Sequence, residues 1–79
     1  MTVKEPLVLY SRADCHLCEL AATMLDVTGL DWRTVDIDTD PALVDRYGIH
    51  VPVISRPSDG RELFFPFDET ALLDFSAGA

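Results

Sequence analysis

The sequence predicts an α/β fold in which a four-stranded mixed sheet is flanked by helices, with elements in the order β-α-β-α-β-β-α. Three observations support this prediction. Short runs rich in β-forming residues alternate with helical patterns along most of the chain. A turn sequence over residues 57–60 joins two further strands into a hairpin. The 79 residues are enough for one modest core and too few for two, so we expect a single domain over residues 1–79, with residues 76–79 frayed.

The first strand is predicted over Leu7–Tyr10, an apolar run without alternation that is typical of a strand buried on both faces. A helical pattern follows from about Cys15, with Asp14 as its N-cap and Gly29 as the residue that ends it. We expect the apolar positions of this helix to form one stripe that faces the core. These positions are Leu17, Leu20, Ala21, Met24, Leu25 and Thr28.

The middle of the chain predicts two strands with a short helix between them. Residues 30–38 alternate and are rich in β-formers, which indicates a second strand. The pair Asp40-Pro41 supplies the N-cap and first residue of a helix that ends at Gly48. Residues 51–55 indicate a third strand, with Pro52 near its start, where a strand tolerates proline.

The last third of the chain predicts a hairpin and a closing helix. The turn over residues 57–60 leads into a returning strand over residues 61–65. Asp68 then caps a helix over residues 69–75. Two apolar residues are placed as a hydrophobic staple, Phe67 and Leu72. We interpret the following aromatic residues as core or sheet-face positions: Trp32, Phe64, Phe65, Phe67 and Phe75.

The composition limits the classes of partner. Fourteen acidic residues against six basic ones give a formal charge of −8, which argues against nucleic acid and anionic membranes as partners. No apolar run approaches the roughly 18 residues that indicate a membrane span, and the N-terminal residues are too polar for a signal peptide, so we expect a cytoplasmic protein. We interpret three acidic residues as a solvated strand end: Asp36, Asp38 and Asp40.

The only two cysteines, Cys15 and Cys18, form a C-x-x-C at the predicted start of the first helix. A bridge that closes so small a loop stabilises a fold only weakly, so the spacing indicates redox chemistry or metal binding rather than a structural staple. Because a helix N-terminus stabilises a thiolate, we expect Cys15 to be the nucleophile and the more buried Cys18 to be the resolving thiol. No second C-x-x-C or H-x₃₋₅-H is present, so we expect no zinc site.

Two segments resemble the glutaredoxin family. The first is Tyr10-Ser11-Arg12-Ala13-Asp14-Cys15-His16-Leu17-Cys18, which is similar to the active-site segment of glutaredoxins. The second is Tyr47-Gly48-Ile49-His50-Val51-Pro52-Val53, which resembles the segment that supplies their cis-proline. The resemblance covers nearly the whole chain and implies a thioredoxin-like fold and thiol–disulfide exchange.

The resemblance also implies roles for individual residues. Pro52 is expected to be cis and to keep the N–H and C=O of Val51 free of strand pairing, so that they can bind a peptide or glutathione in an extended form. Arg12 lies where glutaredoxins carry a lysine that holds a glutathione carboxylate. Asp68 corresponds to an aspartate that meets the γ-glutamyl end of glutathione, or is only a helix N-cap. His16, between the cysteines, either tunes the reactive thiol or is a solvated side chain.

The chain departs from glutaredoxins in place of their Gly-Gly, where it has Phe65-Pro66-Phe67-Asp68, and at the residue before Val-Pro, which is His50. The expected partner is a disulfide-containing protein or glutathione, with glutathione or a thioredoxin-type system as the reductant. We expect a monomer without a resident cofactor. Two other classes stay open: an iron–sulfur module that uses Cys15 from two chains, and a redox-inactive interaction domain.

Overall fold

The structure, a computed structural model, describes residues 6–77 and confirms the predicted order of helices and strands. The additional element is a single turn of 3-10 helix, Ile37–Thr39, after the second strand. The elements are β1 Leu7–Ser11, α1 His16–Thr28, β2 Trp32–Asp36, α2 Pro41–Tyr47, β3 Val53–Arg56, β4 Arg61–Phe64 and α3 Glu69–Ser76. Within residues 6–77, no helix is long and apolar enough to cross a membrane.

The four strands form one mixed sheet in the order β2-β1-β3-β4. Strand β1 runs parallel to β2, with Leu9 opposite Thr34, and antiparallel to β3, with Tyr10 opposite Val53. Strands β3 and β4 form the predicted antiparallel hairpin. Because β1 is central and has cores on both faces, its uninterrupted apolar run is explained.

The two faces of the sheet carry separate cores. Helices α1 and α3 pack on one face and α2 covers the other. The first cluster contains Leu7, Leu9, Ala21, Leu25, Ile54, Leu72 and Phe75. The second contains Ile37, Tyr47 and Val53, with Tyr10, Leu43, Val44 and Val51 packed against it. Consecutive residues of β1 therefore alternate between the two cores, which places the end of this strand between α1 and α2.

The apolar stripe of α1 differs from the predicted one. Cys18, Ala21 and Leu25 are its buried residues, whereas Leu17 and Leu20 are each 43% exposed. Residues 18, 21 and 25 follow the i, i+3, i+7 spacing of one helix face, so the buried face includes the second cysteine and excludes the two leucines. The helix ends as predicted at Gly29, which has a φ of 72° and donates its N–H to the carbonyl of Asp26.

The second strand is shorter than predicted because its acidic end forms local hydrogen bonds. An oxygen of Asp36 accepts the N–H of Asp38 at 2.9 Å, which starts the 3-10 turn. Asp40 accepts the N–H of Ala42 at 2.9 Å and caps α2, as its position before Pro41 predicts. The three carboxylates are exposed, as expected for a solvated strand end, and they also form local contacts: Asp36 and Asp40 cap turns, and Asp38 forms an ion pair described below.

The C-terminal elements agree with the sequence to within two residues. Strand β3 begins at Val53 rather than residue 51, and β4 ends one residue before the predicted position. Asp68 caps α3 by accepting the N–H of Ala71 at 2.8 Å. The staple pair, Phe67 and Leu72, packs in the first core. Ser76 belongs to α3 rather than to a frayed tail, and residues 78–79 lie outside the described residues.

Arg56 in β3 is a buried cation whose hydrogen bonds connect the hairpin turn to α3. Its guanidinium donates to both carboxylate oxygens of Asp59 and to the carbonyl of Phe75, and it lies 5.3 Å from the centre of the Phe75 ring. The hydrogen bond from Arg56 lowers the pKa of Asp59 from 3.8 to about 2. This carboxylate thus stabilises the folded protein while it is ionised.

Acid should remove the stabilisation that Asp59 gives to the folded protein. Because its pKa is lower in the folded protein than the ordinary value of 3.8, the contribution is complete above that value and disappears as the pH falls through about 2. We expect Asp59→Asn to lower the free energy of unfolding at pH 5 and to have progressively less effect towards pH 2. Urea unfolding of both proteins across this range measures the difference, and a difference independent of pH would contradict the prediction.

Candidate active site

Cys15 occupies the N-cap position of α1. Its backbone is extended, and its Sγ accepts the N–H of Cys18 at 3.2 Å. The prediction that Asp14 caps this helix is wrong, because the chain turns one residue later. Asp14 has a φ of 57°, a conformation that aspartate adopts more readily than most residues, and its side chain is exposed. The sulfur, and not a carboxylate, therefore lies at the end of the helix.

Cys15 and Cys18 lie at disulfide distance, with Cα atoms 5.2 Å apart. Cys15 is partly exposed, while Cys18 is 5% exposed and belongs to the buried face of α1. The difference in exposure agrees with the expected difference between the two thiols. A reagent in solution can reach the first sulfur while the second is covered by the core.

Arg12 forms contacts within the protein. Its Nη2 lies 2.6 Å from Oδ1 of Asp38, its Nε donates to Oδ2 of the same carboxylate at 3.3 Å, and its Nη1 donates to the carbonyl of Gly48 at 3.3 Å. These bonds join the loop before Cys15 to the 3-10 turn and to the end of α2. The resemblance implied that this side chain binds a carboxylate of glutathione, but in the structure its guanidinium pairs with the carboxylate of Asp38.

The contacts of His16 and Asp68 are with groups other than the sulfurs. The imidazole of His16 is exposed, and its Nδ1 lies 3.6 Å from Oε2 of Glu19, a contact that is ionic only when the ring is protonated. The carboxylate of Asp68 forms the cap of α3. Neither residue lines the groove that contains the two cysteines. The N-cap interpretation of Asp68 is confirmed, and contacts of either residue with a substrate stay predictions.

Pro52 follows a cis peptide bond, as the resemblance implies. It is buried and precedes Val53, which pairs with Tyr10 at the end of β1. Val51 lies outside the strands, as expected for a residue free of strand pairing, but its N–H donates to the carbonyl of Tyr47 at 3.0 Å. Binding of a substrate by the backbone of Val51 stays a prediction. The bond at Phe65–Pro66 is also cis, which the sequence analysis did not predict.

A groove of about 280 Å³ lies between α1 and the edge of the sheet and contains both cysteines. Its floor and walls are formed by Leu9, Ser11, Arg12, Ala13, Asp14, Cys15, Cys18, Glu19, Ala22, Trp32 and Thr34. The indole N–H of Trp32 donates to Asp26 at 3.1 Å, which fixes the ring against α1. Three groove residues, Trp32, Thr34 and Glu19, were not predicted from the sequence. The parallel register of β1 and β2 brings Trp32 and Thr34 to the groove, and Glu19 lies on the first turn of α1.

The residues that the structure describes contain no group of three or more histidine, cysteine, aspartate or glutamate side chains arranged to hold a metal ion. The groove contains the two sulfurs of the C-x-x-C. A partly exposed sulfur at a helix N-terminus, with a second sulfur buried behind it, is an arrangement suited to forming and breaking a disulfide.

Comparison with known proteins agrees with this arrangement. The family model described as Glutaredoxin-like domain (DUF836) matches residues 6–75. The X-ray structure of the target protein XcR50 from X. campestris is 43% identical, with a TM-score of 0.83, over 92% of this chain and 97% of that one. Its solution structure is 42% identical, with a TM-score of 0.83, over 95% and 96%.

A more distant structure is similar over the same length. The solution structure of protein Ne2328 from Nitrosomonas europaea is 26% identical, with a TM-score of 0.78, over 95% of this chain and 94% of that one. Among proteins with curated descriptions, none matches significantly. The family model spans nearly all of the described residues, including both cysteines and Pro52. The chain therefore belongs to the glutaredoxin-like domain family.

Proposed function

We propose that this protein is a thiol–disulfide oxidoreductase in which Cys15 is the nucleophile and Cys18 the resolving thiol. The observation that carries the proposal is the position of the Cys15 sulfur, which is partly exposed and caps a 13-residue helix by accepting a backbone N–H. In the reduced protein the same N–H and the helix dipole stabilise a thiolate on this sulfur. They favour the charged form that attacks disulfides.

The environment of Cys18 supports its role as the resolving thiol. Cys18 is buried on the inner face of α1, where an unpaired thiolate is disfavoured. Its sulfur reaches Cys15 without a change in backbone conformation, since the two are at disulfide distance. Cys18 is thus placed to react with a mixed disulfide on its neighbour and not directly with a substrate.

The reaction proceeds in two exchanges. The thiolate of Cys15 attacks one sulfur of a substrate disulfide, forming a mixed disulfide and releasing the other sulfur as a thiolate, which takes up a proton. Cys18 then loses its proton and attacks the sulfur of Cys15. This step forms the Cys15–Cys18 disulfide and releases the second substrate thiol. Two electrons pass from the dithiol to the substrate, and a reductant such as glutathione or a thioredoxin-type protein restores the dithiol.

Alkylation of the reduced protein tests the central feature of this proposal. Because the helix N-terminus stabilises its thiolate, Cys15 should react with iodoacetamide with an apparent pKa below the ordinary value of about 8.5. Cys18 should react much more slowly because it is buried. Peptide mass spectrometry after short labelling at pH 5 to 10 reports both rates. An ordinary pKa at Cys15, together with no exchange with an excess of oxidised glutathione or another small disulfide, would instead favour a redox-inactive interaction domain.

A further inference from the structure

We infer that the groove beside the dithiol selects disulfides flanked by cationic groups and disfavours anionic ones such as oxidised glutathione. The inference rests on the proposed exchange chemistry and names its substrate class. It follows from the charges that line the groove, from the ion pair of the single cation there, and from the aromatic wall that Trp32 supplies. The residues that set this preference are Glu19 and Asp14.

Two carboxylates lie beside the reacting sulfurs. Glu19 is one residue beyond Cys18, its side chain is 80% exposed, and it lines the groove. Asp14 directly precedes Cys15, is exposed, and lines the groove as well. Within residues 6–77, no ion pair joins either carboxylate to an arginine. Glu19 lies 3.6 Å from the imidazole of His16, and the helix cap that Asp14 could have formed is made by Cys15.

The cation at the groove does not offset these charges. Arg12 is the one basic residue among the groove residues, and Asp38 accepts two of its hydrogen bonds. Two other arginines pair elsewhere, Arg46 with Glu62 and Arg56 with Asp59. In the reacting form the Cys15 thiolate adds a further negative charge. A substrate that approaches this sulfur therefore meets a negative potential, which the protein's net charge of −8 strengthens at longer range.

Trp32 adds a second feature that suits a cation. Its ring lines the groove, with the indole N–H bonded to Asp26, so the ring is held in place and the carboxylate of Asp26 lies at its edge. An aromatic face attracts an ammonium or guanidinium group, and a lysine or arginine side chain also has an apolar stem that fits beside Leu9 and Ala22. A disulfide in a basic segment of a protein meets both requirements. Oxidised glutathione adds carboxylates to a groove that lacks an unpaired cation among its described residues.

Three small disulfides of different charge test the inference. The pre-reduced protein is mixed with cystamine, which is dicationic, bis(2-hydroxyethyl) disulfide, which is neutral, or 3,3′-dithiodipropionate, which is dianionic. Samples are quenched with acid, and mass spectrometry follows the loss of two hydrogens as the Cys15–Cys18 disulfide forms. Each rate is divided by the rate of the same disulfide with dithiothreitol, so that intrinsic reactivity cancels. We expect the normalised rate to be about tenfold higher for cystamine than for the dianion, and the ratio to fall with added salt.

Matched variants locate the source of the preference. Glu19→Gln removes a charge at the groove, and Glu69→Gln removes one from the first turn of α3, which the groove does not include. We expect Glu19→Gln to lower the cystamine-to-dianion ratio by about two- to threefold and Glu69→Gln by less than about 1.5-fold. Equal effects would show that net charge alone sets the ratio and would overturn the inference.

The remaining outcomes separate this inference from the proposed function. A cystamine-to-dianion ratio of normalised rates near one, or a faster reaction with the dianion, would overturn the charge preference and leave the exchange chemistry intact. If none of the three disulfides oxidises the dithiol faster than it oxidises a denatured, reduced sample of the same chain, the proposed function itself fails.

Discussion

Cys15→Ser should abolish thiol–disulfide exchange, whereas Cys18→Ser should complete the first half of the reaction and stop at a mixed disulfide. Cys15 carries the sulfur that a substrate can reach, and no second exposed thiol exists in the sequence to replace it. The hydroxyl of serine is not ionised near neutral pH and does not attack a disulfide at a comparable rate. Without Cys18, the mixed disulfide lacks the neighbouring thiol that resolves it.

The two variants form a well-matched pair because neither should unfold the protein. Serine is among the preferred N-cap residues, so its Oγ can accept the N–H that the Cys15 sulfur accepts in the wild type. The closing of so small a loop also contributes little to stability, so losing the disulfide should leave the fold intact. Loss of activity in Cys15→Ser thus reports on the sulfur and not on the helix.

Mass spectrometry after mixing each variant with a small disulfide measures the outcome. We expect Cys18→Ser to gain the mass of one half of the disulfide and Cys15→Ser to gain nothing over the same period. Circular dichroism of both variants controls for folding. The assignment of roles would be wrong if Cys15→Ser formed the mixed disulfide as fast as Cys18→Ser, since this would make Cys18 the accessible nucleophile.

Local signals in the sequence account for most of what was predicted correctly. Asp40 before Pro41, the turn over residues 57–60 and Asp68 before the last helix each act within a few residues, and each is used in the structure as expected. The order of elements and the C-x-x-C at a helix start follow from signals of the same kind. The cis bond at Pro52 was predicted from the family resemblance, because most bonds before a proline are trans.

The features that were missed depend on contacts between distant parts of the chain. Arg12 pairs with Asp38, 26 residues away, and a sequence pattern does not state which carboxylate an arginine reaches. Trp32 lines the groove because β2 pairs in parallel with β1, and the register places it opposite Leu7. The error at Asp14 is local, because the residue that caps the helix depends on where the loop turns, and the loop turns one residue later than the aspartate indicates.

Leu25→Ala should cause the largest loss of stability among truncations to alanine in α1. The side chain of Leu25 is completely buried and packs between β1, β3 and α3 in the first core. Truncation of a buried leucine leaves a cavity and costs about 2–5 kcal/mol, a large part of the roughly 5–15 kcal/mol that stabilises a typical domain. Urea unfolding of the oxidised protein measures this loss.

Val27→Ala is the control from the same helix. Val27 is 65% exposed, and alanine has the higher helix propensity, so we expect a change within about 0.5 kcal/mol. A loss in Val27→Ala equal to that in Leu25→Ala would contradict the prediction, because helix propensity favours alanine at both positions and only the burial of the two side chains differs.

The stability of α1 should also control the exposure of the resolving thiol. Cys18 and Leu25 belong to the same buried face, and Cys18 is only 5% exposed, so we expect reaction of a reagent with Cys18 to require that face to leave the core. If this opening is global, a loss of about 2 kcal/mol in Leu25→Ala raises the rate of Cys18 alkylation in the reduced protein by about 30-fold. The rate for Cys15, which is already accessible, should change little. An unchanged Cys18 rate would show that the first turn of α1 opens by itself and would contradict the idea that the core protects the resolving thiol.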